Sequence, residues 1–300
     1  MNFEINKKII VYIIILLCTT LKSQNTYTGV YRDAITLLDI ESVETSDLQV
    51  EEIRKKIKDI KIDSFDLCKF GRFPSNINQG SLQTCTAFTL AYALKTFQEA
   101  QANLSQIYDK DKLIDSLVFS PSFLYKCCIK EYALECGNSI SLSKALLTLQ
   151  KYGSVSLKDN PYDTAALKIN CNIDNDNLLE KAKKYRIRTF HRLSKSSKFK
   201  YNAQRNSNYI ERIKYNIIYR VPVVFATLTN KQFKYKNYQT FNPGDNLPIW
   251  ESQSKNDLGY HAMLIVGFND RIQAFKIYNS YGKYPFIYMK YEVFDALTDL

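Results

Sequence analysis

Asn78-Gln79-Gly80-Ser81-Leu82-Gln83-Thr84-Cys85-Thr86-Ala87-Phe88 puts a cysteine at the start of a long apolar stretch, with a glutamine six positions before it. Small residues (Thr86, Ala87, Ala91, Ala93) among Phe88, Tyr92 and Phe97 predict a helix over about 84–101 that is surrounded by protein, with Thr84 as its N-cap. A thiol at a helix N-terminus meets unpaired N–H groups and the positive end of the helix dipole, and both favour thiolate. As a nucleophile Cys85 needs a base, a group that orients the base, and a donor for an oxyanion. Without them it is a buried structural thiol.

The chain has two histidines, His191 and His261. His191 lies in a basic run, where a charged imidazole is repelled. His261 opens an apolar strand, His261 to Phe268, where a strand emerges from a loop. Asn269-Asp270 turns the chain into a second strand, and Asn279 follows that strand's end. A hairpin brings Asn279 back beside His261, where it can hold the second ring nitrogen. Gln79 can offer a side-chain N–H to an oxyanion together with the Cys85 backbone N–H.

These three stretches resemble the papain-like cysteine peptidases. The family's Gln-Gly-x-Cys-Gly-Ser-Cys-Trp-Ala-Phe is similar to Gln79 through Phe88. Its Asn-His-Ala-Val-x-x-Val-Gly-Tyr strand is similar to Tyr260-His261-Ala262-Met263-Leu264-Ile265-Val266-Gly267-Phe268, and its Asn-Ser-Trp-Gly to Asn279-Ser280-Tyr281-Gly282. The resemblance covers about residues 64–295. It implies a helical lobe with Cys85 at the head of its central helix, a β lobe carrying His261 and Asn279, and a substrate cleft between them. It implies substrate contacts at Gly137 and Asn138, which stand near the family's Gly-Gly segment, and at Tyr281. Tyr260 and Phe225 are weaker candidates for a side-chain pocket. Leu82 stands where the family has a disulfide cysteine, so Cys136, which resembles that cysteine's mate, lacks it. One of Cys127 and Cys128, with Cys171, resembles a second family disulfide. Thr86 and Tyr281 replace two tryptophans, the second of which shields the His–Asn bond.

Around this core the order is helices first and strands last, an α+β pattern in two lobes, with an antiparallel β lobe. The helical lobe spans about 80–160 and the β lobe about 185–300. Ser120 and Pro121 start one helix and Ser141 caps another, which Gly153 stops. Further helices are expected over 174–185 and 209–220, strands over 186–192, 221–228 and 271–278, and a closing strand over 286–293. Residues 193–208 and 229–257 read as surface excursions. Residues 24–63 form an N-terminal extension with helical spacing over Ser46 to Ile62, packed on the body or serving as a short pro-segment.

Residues 1–23 have the make-up of a secretory signal: Lys7 and Lys8, then an apolar run from Ile9 to Leu17, with cleavage expected before Gln24. The run is short for a membrane span, and no stable span is expected after its removal. An uncleaved anchor, or a lipid on Cys18, is the alternative. The chain then belongs in a secreted or other extracytoplasmic space, where disulfides persist. Its formal charge of +11 favours anionic surfaces, with a basic stretch at 181–220 as the contact, but no nucleic-acid motif accompanies it. Cys127-Cys128 followed by Cys136 is poor zinc spacing, and neither metal nor cofactor is called for. The expected activity is thiol peptidase action on peptides or proteins through an acyl-enzyme. A cell-wall amidase or transpeptidase on the same lobes, and a non-catalytic binding relative, are the competing readings.

Overall fold

A computed structural model describes residues 11–13, 55, 62–74, 78–193, 208–233, 247–255, 259–281 and 285–298. Most of the signal-like segment, the stretch Ser46 to Ile62 expected as a helix (apart from Lys55 and Ile62), the basic 194–207 stretch and Gly282 lie outside them.

Ten strands occur among the described residues: β1 Val11–Ile13, β2 Ser64–Asp66, β3 Tyr108–Asp109, β4 Lys112–Leu113, β5 Phe190–Arg192, β6 Val223–Thr229, β7 Ile249–Trp250, β8 Gly259–Asn269, β9 Ala274–Tyr278 and β10 Phe286–Lys290. Eight form one sheet, in the order β5-β1-β6-β8-β9-β10-β7, with β2 also paired to β8; β3 and β4 make a separate hairpin. Its centre is antiparallel, as expected. Its edges are not: β1 runs parallel to β5 and β6, and β7 runs parallel to β10. β8 is buried over nearly its whole length, so its sequence reads as a continuous apolar run instead of alternating.

The central helix runs from Cys85 through Ala102, as Cys85–Ala87, a π-helical stretch Phe88–Lys95, and Thr96–Ala102. All eight residues of the π-helical stretch are buried, as expected of a helix enclosed by protein. The Lys95 ammonium is carried inside, where it pairs with Glu99 at 2.6 Å. Thr89 donates its hydroxyl to the Ala262 carbonyl at 2.9 Å and so pins this helix to β8.

Helix Pro121–Glu131 starts as read from sequence, with Ser120 Oγ accepting from the Phe123 N–H at 3.1 Å and Pro121 in the first turn. Ser141 caps Leu142–Tyr152 in the same way, and Gly153 ends it at φ 82°. A Cβ on Gly153 would stand 1.9 Å from the Ala182 carbonyl oxygen, so glycine is required on both steric and backbone grounds. Helices Thr164–Ile169, Asp176–Lys183, Asn208–Ile218 and Tyr291–Leu297, and a 3-10 turn Leu67–Phe70, also occur among the described residues.

Two expectations change. The closing strand stops at Lys290, and Tyr291–Leu297 is a helix. Tyr291 and Phe294, three apart, both pack on Phe275, at 4.6 and 5.1 Å between centroids, and this spacing suits a helix. Some described residues of the 229–257 excursion also enter the core. Phe233 and Trp250 are buried and pack together at 4.8 Å, their rings tilted by 47°. Asn230 holds the segment in place: Nδ2 donates to the Ser252 and Ser254 carbonyls at 2.8 and 3.0 Å, and Oδ1 accepts the Phe233 N–H at 3.1 Å.

Candidate active site

The loop from Gln79 to Thr84 delivers the chain to Cys85, the first residue of the central helix. Thr84 occupies the N-cap position without capping. Its backbone, at φ −105° and ψ 11°, is outside the extended region a side-chain cap requires, and its hydroxyl meets the Tyr162 hydroxyl at 3.0 Å. Cys85 is wholly buried, and burial pushes its thiol up to about 11. Hydrogen bonds from the Ala262 backbone and from Thr86 pull the other way. Thr89, four residues further along the same helix, bonds the carbonyl of Ala262, which follows His261 in β8, so the head of the helix lies beside that strand.

His261 pairs across the sheet with Thr227, and Tyr278 with Leu264, so β9 returns antiparallel and Asn279 leaves it near His261. His261 Nε2 and Asn279 Oδ1 are 2.8 Å apart, and the amide oxygen makes Nε2–H the donor. That leaves Nδ1 as the acceptor nitrogen of a neutral ring. Asn279 is itself fixed: Nδ2 donates to the Tyr281 carbonyl at 2.7 Å, and Oδ1 accepts the Tyr281 N–H at 3.0 Å. Its backbone N–H donates to the Pro285 carbonyl at 2.7 Å. Burial drives the His261 imidazolium down to about 4, with the Asn279 bond opposing this. Cys85, His261, Asn279 and Gln79 are 0, 3, 1 and 4% exposed, so all four are shielded from bulk water.

Gln79 is held at both ends of its amide. Nε2 donates to the Leu82 carbonyl at 2.8 Å, and Oε1 accepts from Ser280 Oγ at 2.6 Å. An amide nitrogen carries two hydrogens, so a second remains beside the one given to Leu82. Leu82 and Thr86, which replace bracing residues of the family, brace differently. Leu82 is buried in the core, and Thr86 Oγ1 donates to the Ile140 carbonyl at 2.8 Å.

Aromatic rings cover His261. Tyr281 stands edge-on at 6.0 Å and 70°, and Phe233, backed by Trp250, lies at 5.7 Å. Tyr281 thus sits where a shield for the His–Asn bond is expected. Phe233 and Trp250 went unnoticed in the sequence. The signal was there in the chain's single tryptophan, placed within an otherwise polar stretch.

The remaining candidates are more scattered. Gly137 and Asn138 lie in an exposed turn clamped by Tyr125, whose hydroxyl accepts the Gly137 N–H at 2.9 Å and donates to the Asn138 carbonyl at 3.0 Å. Tyr260 is half-buried in β8, opposite Leu228. Phe225 is fully buried against Phe294 at 5.2 Å, which removes it from any substrate pocket. His191 sits in β5, separated from β8 by β1 and β6. Of the basic 181–220 stretch, Lys181, Lys183 and Lys214 pair with Asp159, Glu180 and Asp270.

Cysteine pairing departs from the family pattern. Cys136 bonds to Cys171, while Cys127 and Cys128 are free, buried thiols of helix Pro121–Glu131. Among the described residues no group of three or more His, Cys, Asp or Glu is arranged to hold a metal, and no helix is long and apolar enough to cross a membrane.

No protein-family model matches the chain. It is 26% identical over 254 residues to an uncharacterized peptidase C1-like protein of Acanthamoeba polyphaga mimivirus, covering 84% of this chain and 74% of that one. The crystal structure of xylellain, a cysteine protease from Xylella fastidiosa, superposes with a TM-score of 0.61 at 20% identity, covering 93% of this chain and 96% of the other. Digestive procathepsin L 3 from the larval midgut of Tenebrio molitor gives 0.50 at 16% identity, covering 78 and 66%. The fold is papain-like, α+β in two lobes, and the family resemblance carried by the three sequence motifs agrees with these relatives.

Proposed function

We propose that this chain, papain-like in fold, is a cysteine-type peptidase that cuts peptide bonds with Cys85, His261, Asn279 and Gln79. The observation that carries the reading is the buried 2.8 Å bond from His261 Nε2–H to Asn279 Oδ1, on a strand to which the helix headed by Cys85 is bonded through Thr89.

The chemistry follows from the protonation states. Burial raises the thiol and lowers the imidazole, so each is pushed toward its neutral form. As Sγ attacks the substrate carbonyl, its proton passes to His261 Nδ1. The Asn279 carbonyl oxygen then supports the imidazolium through Nε2–H. Negative charge develops on the substrate oxygen, facing the Cys85 N–H and the second Nε2 hydrogen of Gln79. His261 returns the proton to the leaving amine as the C–N bond breaks, which leaves a thioester on Cys85. Water, deprotonated by His261, hydrolyses the thioester and restores the thiol. Gly137, Asn138, Tyr260 and Tyr281 are the proposed substrate contacts. At Gly137 and Asn138, backbone groups that would pair with a peptide already serve Tyr125, so substrate recognition there draws on the second lone pair of a carbonyl.

We also read the protein as exported: residues 1–23 have signal composition and the Cys136–Cys171 disulfide suits an oxidising compartment, and cleavage before Gln24 would take β1, Val11–Ile13, out from between β5 and β6. N-terminal sequencing of secreted protein beginning at Gln24 tests that part. The activity is tested with Cys85→Ala, which abolishes hydrolysis of a peptide library; hydrolysis retained by that variant rules the peptidase out.

A further inference from the structure

Tyr162 lies far from the three motif stretches in sequence, in a turn after Pro161, yet its hydroxyl touches both ends of the loop that precedes Cys85. It stands 2.7 Å from the Gln79 carbonyl oxygen and 3.0 Å from Thr84 Oγ1. The phenol has one hydrogen, and the carbonyl can only accept, so Tyr162 donates to Gln79 and receives the Thr84 hydroxyl hydrogen. Its ring packs edge-on against Phe88, one turn into the central helix, at 4.7 Å. One side chain thus fixes the start of the loop, its end, and the helix behind it. Of the two proposed oxyanion donors, Gln79 is the first clamped residue and Cys85 directly follows the second.

We infer that Tyr162 is a positioning residue that sets the spacing between the Gln79 side chain and the Cys85 N–H, and so tunes oxyanion stabilisation; the inference rests on the peptidase reading. The loop needs such a clamp. Thr84 makes no cap to the helix, Gly80 sits at φ 68°, and the family's nearby disulfide is replaced by Leu82. Without the phenol hydroxyl, the Gln79 carbonyl and the Thr84 hydroxyl both lose a buried partner, and the loop relaxes between its fixed ends.

The test separates oxyanion placement from thiol reactivity. Tyr162→Phe keeps the ring on Phe88 and removes the clamp. Against a peptide substrate, with active sites titrated, kcat falls about tenfold and KM stays within about twofold. The affinity for a peptide aldehyde, whose thiohemiacetal places an oxygen in the same site, falls in step with kcat. Alkylation of Cys85 by iodoacetamide needs no oxyanion site and keeps its rate. Thr84→Val, which breaks the clamp from its other end, reproduces the pattern if the phenylalanine variant folds poorly, and Thr84→Ser restores it. An unchanged kcat per titrated site in both variants overturns the inference, as does an alkylation rate that falls with kcat. A wild-type chain inert toward peptides and the aldehyde overturns the peptidase reading and the inference with it.

Discussion

Ser280 and Gln79, 201 residues apart in sequence, exchange hydrogen bonds across the site: Ser280 Oγ donates to Gln79 Oε1 at 2.6 Å, and the Ser280 carbonyl accepts the Gln79 N–H at 3.1 Å. The residue after Asn279 therefore holds the glutamine that precedes Cys85. Gln79→Ala is expected to lower kcat by about 10²–10³. Ser280→Ala, which releases the amide at its oxygen end while Nε2 stays bonded to the Leu82 carbonyl, lowers it by several-fold at most, since one buried hydrogen bond is worth about 1 kcal/mol. The double variant behaves as Gln79→Ala alone, because the serine acts through the glutamine. Steady-state kinetics on the three variants checks this.

The buried His261 makes stability pH-dependent in a defined window. Its native imidazole titrates at about 4, whereas the unfolded chain's titrates near 6.5. Between these values the unfolded state binds more protons, so the contribution of neutral His261 is complete above about 6.5 and is lost as pH falls toward 4. The full displacement corresponds to roughly 3 kcal/mol. Urea unfolding from pH 7 to 4 is expected to show a slope that His261→Gln flattens. An identical slope in both proteins contradicts the assignment.

Phe233→Ala should wet the histidine. Removing a buried ring that lies 5.7 Å from the imidazole leaves a space beside it that water can fill. The cost in stability is about 3–5 kcal/mol. Relief of desolvation moves the His261 pKa up toward its ordinary value. An NMR titration of the His261 ring protons reads the shift, and a pKa that stays at about 4 or drops speaks against the ring as the source of burial.

Gly153→Ala should be poorly tolerated although it lies outside the site. The new methyl would meet the Ala182 carbonyl at 1.9 Å on a backbone held at φ 82°. A loss of at least about 2 kcal/mol is expected in equilibrium unfolding. A loss under 1 kcal/mol would show that helix Asp176–Lys183 can move away.

The pairing of His261 with Asn279 was legible because it is a local consequence of a hairpin: two strands joined by Asn269 to Gln273 must bring their far ends together. The place of Cys85 at a helix start was equally local, written in the small and apolar residues after it. What failed depended on contacts between distant segments. Cys171 pairs with Cys136 because residues 170–173 pass that turn, while Cys127 packs with Phe123, Val155 and Ile173. No spacing rule separates those choices. The helix Tyr291–Leu297 was hidden because Phe286 to Val293 can satisfy either an alternating or a helical pattern. The Phe233–Trp250 pair was hidden by the polar residues around it. Tyr162 read as an ordinary turn residue, since its partners lie 83 and 78 positions away.

The pairing of β2 with β8 has a consequence for how the protein can be divided. Ser64, Phe65 and Asp66 pair with Asn269, Phe268 and Gly267, and Lys276 binds Asp66 at 2.7 Å. The polypeptide thus contributes to the sheet before it enters the helices, and returns to finish the sheet after leaving them. In architectural terms the helical lobe is an insertion within the β lobe, not a module joined end to end. A fragment beginning near residue 185 would lack the strand that lies along Asn269, Phe268 and Gly267, and would expose that edge to pairing with other chains. The two halves of the candidate site therefore cannot be made as separate, freely folding pieces: the segment that carries Cys85 is tethered at both ends to the sheet that carries His261.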